Sequence, residues 1–498
     1  MSGRATRAGR ARAARWGGRA LLAAACGLVA AGSNAAEATT ECRIKGLRNS
    51  VRCGVVRRAL DPARPAGPMI DVHFVVVPAI ARRKLPDPVF LLAGGPGQSA
   101  IEVAPALMGL LSRLGNRRDL VFVDQRGTGR SAPLNCADSS RETLADQLDP
   151  QRQIERLARC RTELQTLPYI HAVGDLRFFT TLLAMQDLDA VRQRLGAEQI
   201  NLIGASYGTR AALDYQRQFP ARVRRSVLDG VAPPDMVLPA SFGVDGQAVF
   251  DTMLGACAAD PGCAKQHPTL LADWSALIDN LPRRVSVAHP LTGQVETVEM
   301  TREMLLGAVR GPLYSPALAA GLPAAIAEGA RGNLAPLLGM SALLSSRRGG
   351  QVATGMHFSV VCAEDAPLLA PSGDSFARLY QRVCADWPRG AVPKAFYSVP
   401  PSRSPVLLLS GGLDPATPPR HAERIARALG PLAQHVVVPN AGHGVLSLGC
   451  MHEVVYRFVN AADNAPAAAV DAACATGIPR PPFFQPVAPA DQTGGAPR

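Results

Sequence analysis

Gly204-Ala205-Ser206-Tyr207-Gly208 has the spacing G-x-S-x-G, with the apolar run Ile200–Ile203 before it and the helix-like stretch Thr209–Phe219 after it. That context turns a common pentapeptide into a candidate nucleophile elbow, a serine on a sharp strand-to-helix turn with glycines where other backbone comes close. The start of the next helix offers open amides and the positive end of the helix dipole, both suited to a developing oxyanion. A serine hydroxyl is a weak nucleophile and needs a base held in place by an acid. After such an elbow the expected chain order is an acid past a late strand, then a histidine. Asp414 follows the apolar run Val406–Leu409, and His443 stands between Gly442 and Gly444 after the next run, His435–Val438. His443 is therefore expected to take the Ser206 proton, with Asp414 fixing its tautomer and stabilising the imidazolium. Asp229, past its own strand, is the rival acid. His421, His435 and His452, on a helix, at a strand start and on the following helix, are weaker bases.

An oxyanion hole needs two donors. The amide of Tyr207, next to the nucleophile, is one. Gly94-Gly95-Pro96-Gly97-Gln98-Ser99 follows the early strand Val89–Leu92 and offers open amides with no Cβ in the way. It lacks the spacing and the lysine of a phosphate-binding loop.

These residues need a scaffold that ends several strands at one edge. Short β-branched runs at Ile70–Val77, Val89–Leu92, Leu120–Val123, Ile200–Ile203, Val227–Leu228, Val406–Leu409 and His435–Val438 read as strands. Several are apolar throughout, as strands covered on both faces must be. Helical stretches such as Asp175–Leu195 lie between them, so the fold class is α/β, a mostly parallel central sheet with flanking helices. Some 175 residues separate the strand ending near Asp229 from the one starting near Val406. That is too long for a loop and predicts a large, mainly helical inserted cap. The expected organisation is a core over 39–230, the cap over 231–403, the core resumed over 404–477 and a flexible tail over 478–498.

Composition excludes other classes. Of 498 residues, 47% are apolar and 19% charged, which rules out whole-chain disorder, coiled coil and collagen. Six arginines between Arg4 and Arg19 carry nearly half of the net charge of +13. No basic run interleaved with aromatics follows, so nucleic acid is not an expected partner. The arginines precede the apolar stretch Ala20–Ala31 and small residues up to Ala38, the order of a Sec-type signal peptide spanning 1–38. The run is too short for a stable membrane span. A periplasmic or extracellular enzyme is implied. Without Cys26 the chain holds ten cysteines, an even number that suits an oxidising compartment. They fall in close pairs, Cys42/Cys53, Cys136/Cys160, Cys257/Cys263, Cys362/Cys384 and Cys450/Cys474, although spacing does not fix connectivity. No Cys/His cluster has zinc spacing, so no metal is expected.

The glycine-rich loop at 94–99, Val-Asp-Gln-Arg-Gly-Thr-Gly-Arg-Ser at 123–131, the elbow at 204–208, Gly-Gly-Leu-Asp at 411–414 and Gly-His-Gly at 442–444 occur in this order. Together they resemble the secreted proline iminopeptidase and tripeptidyl aminopeptidase branch of the α/β-hydrolases. One departure is Ala93, where the first motif often begins with His. The resemblance implies an α/β-hydrolase fold and a serine exopeptidase that releases short N-terminal units, proline-related units among them, through an acyl-enzyme. It implies no metal or cofactor, peptide substrates with a free N-terminus, and Gly95 as the second oxyanion amide. It further implies acidic residues in or near the cap that hold the substrate's α-ammonium, for which Glu364 and Asp365 beside Cys362 are the candidates. A carboxylesterase or other acyl hydrolase on the same triad is the alternative, since the fold does not fix the substrate. If Glu364 is the anchor, Glu364→Gln raises KM for free-amine peptides and spares small esters; equal effects on both would remove that role.

Overall fold

The computed structural model describes residues 39–346, 352–371, 374–462, 466 and 470–485; the expected leader over 1–38 and the chain past Gln485 lie outside the described residues. The apolar runs form the centre of a nine-stranded sheet. Its strands are β1 Thr40–Cys42, β2 Val51–Ala59, β3 Met69–Val77, β4 Val89–Leu92, β5 Leu120–Val123, β6 Ile200–Ala205, β7 Val223–Asp229, β10 Val406–Gly411 and β11 Ala433–Val438, with β8 Arg283–Ala288 and β9 Val295–Met300 forming a separate antiparallel pair. The spatial order is β1-β2-β3-β5-β4-β6-β7-β10-β11. Pairing is antiparallel from β1 to β5 and parallel from there to β11.

Alternation explains why the central runs are apolar at every position. Phe90, Leu92, Val121, Leu202, Leu228 and Leu408 face one core, while Val89, Leu91, Phe122, Ile203, Val227 and Leu409 face the other. Side chains on a strand point alternately to the two faces, and here both faces are covered by helices. Strands β1 and β2 escaped the sequence pattern because β2 reads Val-Arg-Cys-Gly-Val-Val-Arg-Arg-Ala, a half-exposed basic strand with little apolar alternation. The helix expected over Asp175–Leu195 is broken: a 3₁₀ turn spans Val173–Phe178, and the α-helix runs Thr181–Arg194 with Thr180 as its N-cap.

The segment between β7 and β10 contains the helices Leu238–Ala259, Arg302–Leu313, Leu322–Ala330, Thr354–Glu364 and Ser375–Asp386, among others, and the β8–β9 hairpin. It builds a third core around Phe250, Met253, Val298, Met300, Leu305 and Ile326. The hairpin was not expected, because half of its strand residues are exposed and each strand carries two charges. The tail expected to be loose from Ile478 is partly held. Phe483 is buried in the third core, and the Phe484 N–H donates to the Ala320 carbonyl at 3.0 Å.

All ten cysteines of the described residues form disulfides, joining Cys42–Cys53, Cys136–Cys160, Cys257–Cys263, Cys362–Cys384 and Cys450–Cys474. Each closes a short local loop, at most 24 residues apart, so each fastens one piece of chain rather than tying distant units. Cys136–Cys160 fastens the start of the helix-bearing crossover and should stabilise it by about 2–4 kcal/mol. The double variant Cys136→Ser/Cys160→Ser is expected to lower the denaturant midpoint accordingly, and non-reduced peptide mapping of the parent should return the five neighbouring pairs.

Candidate active site

Ser206 sits between β6 and the helix Tyr207–Gln218 with φ 56° and ψ −125°. A non-glycine residue there carries backbone strain of about 1–3 kcal/mol, so the surroundings must hold it. A side chain on Gly204 would overlap the Gly208 carbonyl, and one on Gly208 would overlap the Leu92 carbonyl of β4. Those two close approaches are why the pentapeptide needs glycine at both ends. The Ser206 N–H donates to the Asp229 carbonyl at 2.8 Å. Tyr207 begins the helix, where an N–H has no intrahelical acceptor. Its buried hydroxyl shares a 2.6 Å hydrogen bond with the Thr181 hydroxyl.

His443 Nδ1 lies 2.8 and 3.0 Å from the two carboxylate oxygens of Asp414. Asp414 is fully buried, whereas the His443 side chain keeps 16% exposure. The turn after β10 supplies further donors to Asp414: the amides of Ala416 and Thr417 at 2.8 and 2.9 Å, and the Thr417 hydroxyl at 2.7 Å. Burial alone would push the Asp414 carboxyl up, but the His443 charge and hydrogen bond, with those from Thr417, hold it below the ordinary carboxylate range. Burial would likewise push His443 down; the charge and hydrogen bond of Asp414, and to a lesser degree the charge of Asp229, override this and raise it above 6.5. Directing the Nδ1 proton at Asp414 leaves Nε2 free to accept another. The rival histidines are engaged elsewhere, His421 with Asp245 at 3.1 Å and His435 with the Ser410 hydroxyl at 3.0 Å.

The loop Gly94–Ser99 runs beside Ser206. A Cβ on Gly94 would lie 3.2 Å from that of Ser206, and Gly95 and Gly97 have φ near +110°, open only to glycine. Ser99 ends the loop by capping the helix Ala100–Gly115, and its hydroxyl donates to Asp124 at 2.6 Å. Asp124 also accepts the Ile101 and Arg130 amides, both at 3.1 Å. Two residues on, buried Arg126 makes a two-pronged ion pair with Asp187. The 123–131 motif is thus a brace for the glycine loop rather than part of the reacting group.

Glu364 and Asp365, expected as the amine anchor, are buried and engaged with protein groups. They are 1% and 0% exposed. Asp365 pairs with Arg210 through two bonds of 3.0 and 3.1 Å and accepts the Leu238 N–H at 3.0 Å. Glu364 accepts the Thr181 N–H at 2.7 Å and its hydroxyl at 2.9 Å, with Arg210 at 3.6 Å. Burial pushes the Glu364 carboxyl up to about 8, against the pull of Arg210. The cluster holds Arg210, on the helix after Ser206, between two buried acids. Asp365→Asn, which leaves Arg210 buried and unmatched, should cost about 3–5 kcal/mol of unfolding free energy. The near-isosteric Glu364→Gln should cost far less and change KM equally for free-amine and blocked substrates, as denaturant titration and kinetics will check.

Two contacts had no sequence signal. The Thr417 hydroxyl stands 3.1 Å from His443 Nδ1 and 2.7 Å from Asp414; a threonine three residues past an aspartate becomes informative only once the turn is seen to fold back. Tyr314, at the end of the helix Arg302–Leu313, accepts the His443 N–H on its carbonyl at 3.0 Å and sets its ring edge-on to the imidazole, centroids 5.3 Å apart. Among the described residues no group of three or more His, Cys, Asp or Glu side chains is placed to hold a metal.

Comparison with known proteins fits this geometry. Residues 87–265 match the family described as alpha/beta hydrolase fold, and residues 371–474 match the family described as TAP-like protein. Serine protease Hip1 of Mycobacterium tuberculosis is 26% identical over 414 residues, 76% of this chain and 79% of the relative. Carboxylesterase B of Mycobacterium tuberculosis is 28% identical over 438 residues, 76% of this chain and 78% of the relative. The tripeptidyl aminopeptidase of Streptomyces lividans is 30% identical over 197 residues, 38% of this chain and 36% of the relative. Elbow, sheet order and the two matched segments agree on an α/β-hydrolase fold, with a C-terminal part similar to TAP-like proteins.

Proposed function

We propose that this protein is an exported serine aminopeptidase that releases short N-terminal units from peptides through an acyl-enzyme on Ser206. The observation that carries the reading is the strained Ser206 elbow on the same sheet edge as the His443–Asp414 pair, in a chain whose C-terminal part is TAP-like. His443 takes the Ser206 proton as Oγ attacks the scissile carbonyl, and Asp414 stabilises the imidazolium. The oxyanion meets the amides of Tyr207 and Gly95. His443 then passes its proton to the leaving amine, and a water activated by the same imidazole releases the N-terminal unit. Recognition of the free amine falls to groups other than Glu364 and Asp365. Five disulfides and the arginine-led apolar leader support export to a periplasmic or extracellular space. Among the described residues no helix is long and apolar enough to cross a membrane. The similarity to carboxylesterase B over three quarters of the chain favours a second reading, an esterase on the same triad.

A matched panel separates the two: proline, alanine and tripeptide chromogens, each with and without an N-terminal block, beside p-nitrophenyl acetate and butyrate. Cleavage of unblocked peptides alone is expected; indifference to the block with fast ester turnover would mean an esterase. Ser206→Ala should lower kcat by about four orders of magnitude or more while the thermal midpoint holds. Because a protonated His443 cannot act as base and its proton is held more tightly than usual, kcat/KM should rise with pH through a midpoint above 6.5. A midpoint below that value would contradict the Asp414 pairing.

A further inference from the structure

Strand β7 carries none of the three proposed triad residues, yet it lies between β6, which leads to Ser206, and β10, which leads to Asp414. Its last residue, Asp229, is in register with Ala205 on one side and Leu409 on the other. The Asp229 carbonyl accepts the Ser206 N–H at 2.8 Å, and the following Gly230 N–H donates to the Leu409 carbonyl at 3.0 Å. The side chain reaches the third partner. Its Oδ1 accepts the Val445 N–H at 2.9 Å; its Oδ2 accepts the same N–H at 3.0 Å and that of Leu446 at 2.9 Å. Those two amides belong to the chain that leaves His443. Asp229 is buried, and among the described residues no lysine or arginine pairs with it.

We infer that Asp229 is a positioning residue: one buried carboxylate and its own carbonyl set the His443 loop against the Ser206 elbow. The inference rests on the proposed triad. A carboxylate suits the site because both oxygens lie within reach of the Val445 N–H, where an amide would turn its NH₂ towards that donor. Gly230 makes the fit tighter. It has φ +69°, and a Cβ there would lie 3.2 Å from His443 Cε1 and 3.1 Å from the Thr417 hydroxyl, so β7 ends directly under the imidazole. Asp229 is not the orienting acid, since Nδ1 is engaged by Asp414. The groups facing His443 are Asp414 and the Thr417 hydroxyl after β10, Tyr314 from the intervening segment, and Asp229 from β7. Of these, only Asp414 and Asp229 carry carboxyl groups; burial raises the Asp229 carboxyl against the pull of the Val445 and Leu446 amides and of His443, and its ionised form adds to the upward pull on the imidazole.

The test compares Asp229→Asn, which removes the charge, with Asp229→Glu, which keeps the charge but lengthens the arm. Both are measured with p-nitrophenyl butyrate and the best unblocked peptide, across pH. Asp229→Asn should lower kcat by about a hundredfold with little change in KM, the scale of a one-ångström misplacement. It should also move the acid limb of kcat/KM to lower pH, because a negative charge near the imidazole is gone. Asp229→Glu should lower kcat with the limb unmoved. An Asn variant with kcat within about twofold of the parent, or with an unmoved limb, overturns the inference, as does a Glu variant with parental kcat. If the Asn variant does not fold, the Glu result decides alone. Failure of the parent to label with a serine-directed fluorophosphonate would instead remove the triad reading, and so marks the two failures apart.

Discussion

Ser206 holds a backbone conformation that a serine adopts only under constraint, and most of the charged interior can be understood as what enforces it. The strand before it is fixed by parallel pairing on both sides, through β4 and β7. The helix after it is fixed at its first turn by the Tyr207–Thr181 contact and by Arg210, which is gripped by Asp365 and ties to the Met236 carbonyl at 2.7 Å. With both ends immovable, the turn between them has no softer conformation to relax into. The strain is small beside the burial around it, but it aims the hydroxyl out of the sheet edge.

The buried charges follow from the same demand. A buried ion pair contributes little net stability, because desolvation offsets most of the attraction, yet breaking one is expensive. Arg126 with Asp187, and Arg210 with Asp365, therefore act less as glue than as selectors of one arrangement. Arg126 also donates to the Leu60 and Phe178 carbonyls, so the loop after β5 cannot shift without exposing several groups at once. That fixes the turn whose Asp124 carries the end of the glycine loop. The loop needs open amides and left-handed glycines, and it can keep them only because its far end is nailed down.

The segment between β7 and β10 contributes directly to the base. Tyr314 receives the His443 N–H, and Asp245 receives Arg420 and His421 from the helix that follows the Asp414 turn. The histidine loop is thus held by Asp229 from the sheet and by Tyr314 from the segment above.

The sequence by itself determined the pieces whose physics is local. A strand with both faces covered must be apolar throughout, and a serine at an elbow needs glycines beside it; these features are legible in order and spacing. Ser206, Asp414 and His443 were readable for that reason, as were seven of the strands that place them. What remained hidden depends on which distant surfaces meet. Whether Glu364-Asp365 is an amine anchor or an ion-paired brace shows only when Arg210, 155 residues before Asp365, is found against it. Thr417, Tyr314 and Asp229 carry no motif, because each acts through contacts set by turns and strand order rather than by its neighbours in the chain. The half-exposed hairpin β8–β9 carries no apolar run strong enough to show in the sequence. Tertiary structure decided whether each carboxylate is a tool, a brace or a counter-charge, because burial and partner, not residue type, set what a charge can do.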